Sequence, residues 1–454
     1  MSTQLHMIGV KAGDATLIEH TDGNRVYYVL IDGGLDKQTV HDYLRGCNIC
    51  HLDLVIASHL DYDHLGGLLA VFKDPAIKID EFWTFDIGIL TAFLESGTIP
   101  TKSPDNHNRV LYVMALITGH DLQETCRKRG ILFRQVTAGH VTRLGGLLFE
   151  VLYPSEPFLD HLYDPATLKK MLRDSRIPLD WKIGTHKYSP DEVRIEGKRS
   201  RHQRLSFPPE NPKRSTAVRK LVAELRPKYR ELTESDDAAL KAMSQYWDSS
   251  EEEDPATRWW DIQEDDKLGP QEICTDRTIF NDISTVFRVS SVGRTGFRSA
   301  LFTGDLENWT SLILTDGHRL RSELLKIPHH GSRGVGWNPE AAYRFCIYRY
   351  NKWLEERHQR PLGDWPLGCL MSAFLWHEWY KFTPWCANGN LCDILELVRP
   401  QQALIFPFPR FRLPSVEVVN ELKNRKITVF SNRVIGAVDL SSAAPQTQVI
   451  PFDP

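Results

Sequence analysis

At 454 residues, with 41% hydrophobic side chains and a formal net charge of −4, the chain has the make-up of a soluble globular protein. It exceeds the length that one hydrophobic core usually fills, so one large domain with insertions or two domains is expected. No apolar stretch reaches about 18 residues and Gly13-Asp14 interrupts the first apolar run, so neither a membrane span nor a secretory signal is expected and the location reads as cytoplasmic.

Taken in order, Val10 to Ile18 and Tyr28 to Gly34 read as a β-hairpin, with Gly13-Asp14 as a turn signal between apolar runs and Asp32-Gly33-Gly34 closing the second strand. The run Leu52 to Ala57 is short, apolar and β-branched, and reads as a buried strand. Directly after it, Ser58-His59-Leu60-Asp61-Tyr62-Asp63-His64-Leu65-Gly66-Gly67 places two imidazoles and two carboxylates on a strand-to-helix loop, with the glycine pair allowing a tight turn into a helix. Several side chains of such a loop can converge on one cation. Neutral imidazole suits zinc and other first-row divalent metals and carboxylates suit harder or bridging positions, so the mixture suggests a two-metal centre.

This pattern resembles the metallo-β-lactamase superfamily, whose loop reads His-x-His-x-Asp-His. With Asp61 in place of the second His, it looks like the branch found in the hydrolase domain of ComEC-type DNA-uptake proteins and their soluble stand-alone relatives. The resemblance makes Asp32 a residue that orients ligands from beneath the loop. Further on, Asn281 to Val289 and Ser299 to Glu307 read as strands, and Asp305 matches the family's bridging carboxylate. The stretch Leu324 to Ser332 resembles the His-His-Gly-Ser motif, in which one of His329 and His330 is a ligand and the other lies near substrate; the sequence leaves open which. Lys326 and Ser332 are candidates for phosphate contact. Two departures stand out. Leu152-Tyr153-Pro154 occupies the place where many members have a His ligand, and Arg410-Phe411-Arg412-Leu413-Pro414 lacks the His that relatives carry before the Pro. Those arginines either hold a substrate phosphate, which suits a guanidinium fork, or are solvated. Ala403 to Phe406, Lys426 to Phe430 and Ile435 to Asp439 look like a closing strand, helix and hairpin.

The resemblance implies an α/β (α+β) fold, a four-layer αβ/βα sandwich with two large insertions. Residues 1–154 form its N-terminal half and 276–454 its C-terminal half, with an aromatic-rich insertion at about 337–398. The other insertion, 155–275, is charged and partly flexible. Residues 191–230 hold twelve Lys or Arg against five Asp or Glu, and 231–266 hold thirteen acidic residues against two basic ones. Such a segment reads as a separate lobe or a mobile arm, its halves contacting a nucleic-acid backbone or neutralising each other. The eight cysteines read as unpaired thiols, since Cys47-Asn48-Ile49-Cys50 has no matching second pair.

The residues expected to bind metal are His59, Asp61, Asp63, His64, Asp305, His329 and His330, with Asp63, Lys326 and Ser332 serving catalysis. The cofactors expected are two divalent ions, Zn2+ or Mn2+. The leading expectation is a phosphodiesterase acting on nucleic acid, DNA above all. The resemblance further implies an anti-phage effector working beside a protein partner such as an ATPase. Two alternatives stay open: a hydrolase of a small ester, lactone or thioester, and a non-catalytic binding module with a degraded metal site.

Overall fold

In a computed structural model of the chain, the described residues are 1–88, 107–162, 212–230, 279–292, 297–332, 334–337, 390–408, 413–433 and 445–452, with short pieces at 176–178 and 271–273 and single positions between 235 and 241 and at 354. Most of the charged insertion, most of the aromatic-rich insertion, Arg410, Arg412 and Ile435 to Asp439 lie outside them.

Two seven-stranded sheets form the centre. The first is built from β1 (Ser2–Met7), β2 (Thr16–Asp22), β3 (Arg25–Ile31), β4 (Leu54–Ile56), β5 (Glu81–Trp83), β6 (Leu132–Arg134) and the last strand, β14 (Gln448–Pro451), in the order β14-β1-β2-β3-β4-β5-β6. The second contains β7 (Val141–Leu144), β8 (Leu147–Tyr153), β9 (Val286–Val292), β10 (Phe297–Phe302), β11 (Leu324–Lys326), β12 (Gln402–Ile405) and β13 (Thr428–Ser431), in the order β13-β12-β11-β10-β9-β8-β7. Each sheet is antiparallel on one side and parallel on the other. The change falls between β3 and β4 in the first and at β10 and β11 in the second.

Alternation of side chains along each strand explains the layering. Val29, Ile31, Leu54, Ile56, Leu324 and Leu404 face the opposite sheet, in a core that includes Phe149, Phe287, Phe302 and Phe406. Leu30, Val55, Leu325, Ala403 and Ile405 face outward and are covered by helices. The covering residues come from α3 (Leu68–Lys73) and α4 (His107–Arg129) on one side, and from α6 (Thr310–Asp316), α7 (Leu391–Val398) and α8 (Val416–Asn424) on the other. The expected αβ/βα sandwich is therefore the observed one. Parallel strands buried on both faces account for the continuous apolar runs in the sequence.

Several local expectations change. Asn281 to Thr285 is not strand: a helical turn at Ile279–Asp282 precedes β9, and the Thr285 N–H donates to the Ser58 carbonyl at 2.7 Å. The first hairpin turns at Gly23, between β2 and β3, and Gly13-Asp14 belongs to the β1–β2 connection. The final strand β14, absent from the sequence reading, leaves the second sheet's side of the molecule and pairs antiparallel with β1. The four described cysteines, Cys47, Cys50, Cys126 and Cys392, are free thiols as expected.

The described part of the charged insertion does not stand apart as an arm. Helix α5 (Pro212–Leu225) buries Val218, Val222 and Leu225 in the core shared with α4. Arg226 donates two hydrogen bonds to Asp121, at 2.9 and 2.5 Å, and Arg219 reaches Glu124 at 3.4 Å. Burial works against ionisation of Asp121, but hydrogen bonds from His120 and Arg226 prevail and hold its carboxyl down at about 2. A depressed carboxyl stabilises the fold above its ordinary value of 3.8 and loses that contribution as pH falls through about 2. Both partners are partly exposed, so the pair is worth at most about 1 kcal/mol. Replacing Asp121 by Asn should leave the global melting temperature almost unchanged and raise amide exchange in 212–225 at neutral pH. Unchanged protection there would show that apolar packing alone holds α5.

Candidate metal centre

The centre forms where the two parallel halves of the sandwich end. β4 finishes at Ile56, and the chain passes through Ala57 and Ser58 to His59, after which Asp61 precedes the short helix α2 (Tyr62–Leu65). The helix thus starts before the glycine pair, and Gly66 and Gly67 keep helical backbone angles instead of forming a turn. What Gly67 supplies is room: a Cβ there would lie 1.9 Å from the Gly33 carbonyl oxygen. Gly13 does the same on the other side, with φ of +79° and the Asp63 carbonyl 1.7 Å from where its Cβ would stand. These contacts press the loops carrying Asp14, Asp32 and Asp63 together.

Three histidines are oriented by what their Nδ1 atoms meet. His64 Nδ1 lies 3.0 Å from Asp32 Oδ2. The Ser58 hydroxyl donates to that same carboxylate at 2.8 Å, so its remaining capacity is as acceptor, for His59 Nδ1 at 3.0 Å. His330 Nδ1 is 3.1 Å from the Phe406 carbonyl, which can only accept. In each ring the proton therefore belongs on Nδ1, and the neutral Nε2 presents a lone pair. Those three Nε2 atoms point toward one set of carboxylates. His64 Nε2 is 3.4 Å from Asp305 Oδ2 and 3.8 Å from Asp63 Oδ2, His330 Nε2 is 3.2 and 3.3 Å from the same two oxygens, and His59 Nε2 is 3.5 Å from Asp61.

A lone pair facing a carboxylate is repulsive unless a proton or a cation lies between them. The Nε2 atoms of His59 and His64 are buried without a hydrogen-bond partner. Ligand atoms of His59, His64 and Asp305, and of Asp63, His64 and His330, lie within 4.8 Å of one another. The residues present therefore fit divalent cations, with His59, His64, His330, Asp63 and Asp305 as the donor set. Asp61 is at the rim, its side chain 35% exposed, and touches only His59 of this set.

Of the adjacent histidines, His330 enters the cluster while His329 turns to Glu307, with which its Nδ1 forms an ion pair. Both have left-handed backbone, φ 45° and 52°, which costs on the order of 1 kcal/mol or more apiece; this geometry lets two neighbouring rings reach different partners. Tyr153 is in the core with its ring 6.2 Å from that of Phe158. Ser332 is half-buried and accepts a hydrogen bond from the Gly334 N–H. Lys326 donates to the Gly304 carbonyl at 2.8 Å and to Asp305 at 3.0 Å, and is paired with Asp14. Its ammonium is thus engaged inside the protein by one carbonyl and two carboxylates and is not turned toward a substrate phosphate. Sequence reasoning missed Asp14, Ser58 and Glu307 as members of this network, although all three fall inside the runs that it singled out.

Burial by itself would lower the basicity of His64 and His330. The carboxylates outweigh it, Asp305 foremost, with Asp32 and Asp63 beside His64 and Asp14 beside His330, and hold both well above the usual 6.5. A raised histidine stabilises the metal-free fold below its unfolded value and loses that contribution as pH rises through the folded value. Cation binding must expel those protons, so affinity rises with pH. The melting temperature of chelator-treated protein should fall as pH is raised above neutrality, and the gap between metal-loaded and metal-free protein should widen. Calorimetric titration in buffers of different ionisation enthalpy should show proton release per bound ion, and pH-independent binding without release would contradict this assignment.

Residues 8–97 match the family model described as the metallo-beta-lactamase superfamily, a stretch that holds Asp14, Asp32 and the whole His59 to His64 loop. Among solved structures, the chain is similar to the metallo-beta-lactamase fold protein YhfI from Bacillus subtilis, at 13% identity and a TM-score of 0.20, over 33% of this chain. The match spans about half of that protein's length, 53%. No curated protein matches.

Proposed function

From a chain that carries a metallo-beta-lactamase superfamily domain and gathers three imidazoles on two buried carboxylates, we infer a metal-dependent hydrolase, and we propose that its substrate is the phosphodiester backbone of nucleic acid, DNA first. The observation that carries the hydrolase reading is the convergence of the Nε2 atoms of His64 and His330 on Asp63 and Asp305, with a ligand atom of His59 within 4.8 Å of His64 and Asp305. A divalent ion held there, zinc or manganese, would supply Lewis-acid stabilisation of a phosphoryl oxygen and a water acidic enough to deprotonate near neutral pH.

The chain's own residues do the rest. Asp32, Ser58 and the Phe406 carbonyl fix the imidazole orientations. Asp63 Oδ2, facing His64 and His330, is placed to accept a hydrogen bond from the attacking water and align it. Asp61, beside His59, borders the centre where it is not fully enclosed. The nucleic-acid reading is supported by the His-x-Asp-x-Asp-His form of the loop, the His-His-Gly-Ser run and the basic block at 191–230. A role as an anti-phage effector beside an ATPase belongs to the same proposal and rests on the resemblance alone. None of the described helices is long and apolar enough to cross a membrane.

A second reading has one observation in its favour. His59, Asp63, His64, Asp305 and His330 are each no more than 5% exposed, and two basic residues of the insertion, Arg219 and Arg226, are engaged with α4. An enclosed centre suits a small ester, lactone or thioester. Purified wild type and the Asp63→Ala/His64→Ala double variant should be incubated with single-stranded, duplex and plasmid DNA and with RNA, across zinc, manganese and magnesium, with bound metal measured in parallel. Wild type alone should cleave. Metal binding without cleavage of any nucleic acid would move the assignment to the small-molecule hydrolase, and absence of both would leave a binding module.

A further inference from the structure

We propose that Asp14 and Lys326 act as a buried positioning pair that selects which oxygen of Asp305 and which nitrogen of His330 face the metal, and so sets the affinity of the centre. The inference rests on the reading of the cluster as a metal site.

Position 326 carries a lysine where the strand pattern calls for an apolar residue. Along β11, Leu324 faces the opposite sheet and Leu325 faces the helices, so the alternation aims position 326 back between the sheets. Lys326 lies there at 3% exposure, lining a small cavity with Thr16, Ile31, Phe287, Phe302 and Phe406. An ammonium among such side chains costs several kcal/mol unless it is fully paired, and here it is. Gly304 O and Asp305 Oδ1 each accept a hydrogen bond from it, and Asp14 Oδ2 forms an ion pair with it.

The consequence falls on Asp305. With Oδ1 committed to the lysine, Oδ2 is the oxygen left facing His64 Nε2 and His330 Nε2, at 3.4 and 3.2 Å. The other oxygen of Asp14 lies 3.3 Å from His330 Nδ1, where it supports the Phe406 carbonyl in keeping that nitrogen protonated. A chain of contacts, Asp305 to Lys326 to Asp14 to His330, thereby closes around the centre. It joins the β1–β2 connection of the first sheet to β11 and the His329-His330 turn of the second. Gly13 holds the first sheet's end of this chain against the Asp63 carbonyl, where no side chain fits. Asp14 is within reach of Asp305 and His330 as a ligand in its own right, but its pairing with a fixed cation disfavours a second one on the same carboxylate.

The test compares wild type with Asp14→Asn, Lys326→Met and the double variant, using Zn2+ and Co2+ alone as probes. Apparent Zn2+ affinity is read by competition with a chromophoric chelator, and the ligand field by the visible spectrum of the Co2+-loaded protein. Melting curves in excess chelator show whether each variant folds. The expected result is a loss of Zn2+ affinity of about 10- to 100-fold in each single variant, a displaced Co2+ spectrum, and a double variant less impaired than the two single losses combined. Asp14→Asn changes no volume, so it carries the test if Lys326→Met fails to fold. Wild-type affinity and spectrum in a folded Asp14→Asn protein would overturn the positioning role while leaving the metal centre intact. A wild type that binds neither ion would overturn the metal reading itself and this inference with it. A folded Lys326→Met protein with wild-type metal affinity and Co2+ spectrum would likewise overturn the positioning role of the lysine.

Discussion

Everything at the candidate centre depends on the capture of three imidazole Nδ1 atoms by acceptors that cannot be mistaken for anything else. Asp32 takes His64, the already-donating Ser58 hydroxyl takes His59, and a backbone carbonyl takes His330. Once those bonds are made, no rotation of the rings is left that keeps them, and the three Nε2 atoms have only one region to face. The acceptors are themselves held by the scaffold. Asp32 follows directly from β3, Ser58 follows β4 beside it, and Phe406 follows β12 in the other sheet. Parallel register aligns the ends of β3 and β4 in the first sheet and of β11 and β12 in the second, and a site set on such rigid strand ends is held more precisely than one built on loops alone.

Legibility in the sequence followed the range of the interactions. The His59 to His64 loop could be read because its ligand-type residues lie within one turn of chain, and Asp305 and the His329-His330 pair because each sits in a short run with a characteristic strand before it. Two kinds of information were out of reach. The choice between His329 and His330 is made by two left-handed backbone positions, which no residue type there announces. The role of Asp14 is made by a partner more than three hundred residues away, so locally Gly13-Asp14 could only look like a turn. The same limit explains the secondary-structure errors. Asn281 to Thr285 has strand-like composition, but the Ser58 carbonyl takes its Thr285 N–H before β9 begins, and β14 is defined only by β1 at the opposite end of the chain. The overall fold was legible through the family resemblance, and the continuous apolar runs of β3 and β4 agree with strands covered on both faces.

The insertions alter the picture of charge more than of architecture. A block of twelve basic residues in 191–230 suggests a surface for a polyanion, yet Arg219 and Arg226 neutralise Glu124 and Asp121 on α4. Part of the basic excess is therefore spent on docking the insertion to the sandwich. The composition of a segment counts charges; only the fold says which of them remain available to a partner.

The electrostatics of the centre limit what it can hold. Asp14, Asp32, Asp63 and Asp305 are buried together with a single lysine, and gathering four carboxylates in low dielectric is unfavourable unless positive charge is supplied. In the absence of metal that charge must come from protons on His64 and His330, which explains the elevated basicity of both. The protonated and metal-loaded forms are thus two ways of satisfying one excess of negative charge. Lys326 permanently supplies one part of the positive charge and cannot leave, whereas the imidazole protons can be exchanged for a cation. The charge-balanced interior is built by the sandwich, while the boundary of the centre carries Tyr62 in a small apolar cluster with Ala12, Leu35, Met114, Phe408 and Leu413, joined by Ala239 from the charged insertion. Tyr62 lies between Asp61 and Asp63 in sequence, so a residue of the insertion shares an apolar cluster with the loop that carries the candidate ligands. Under the proposed hydrolase reading, a change at Ala239 would reach the centre through the cluster around Tyr62 and not through the buried charges that would hold a cation.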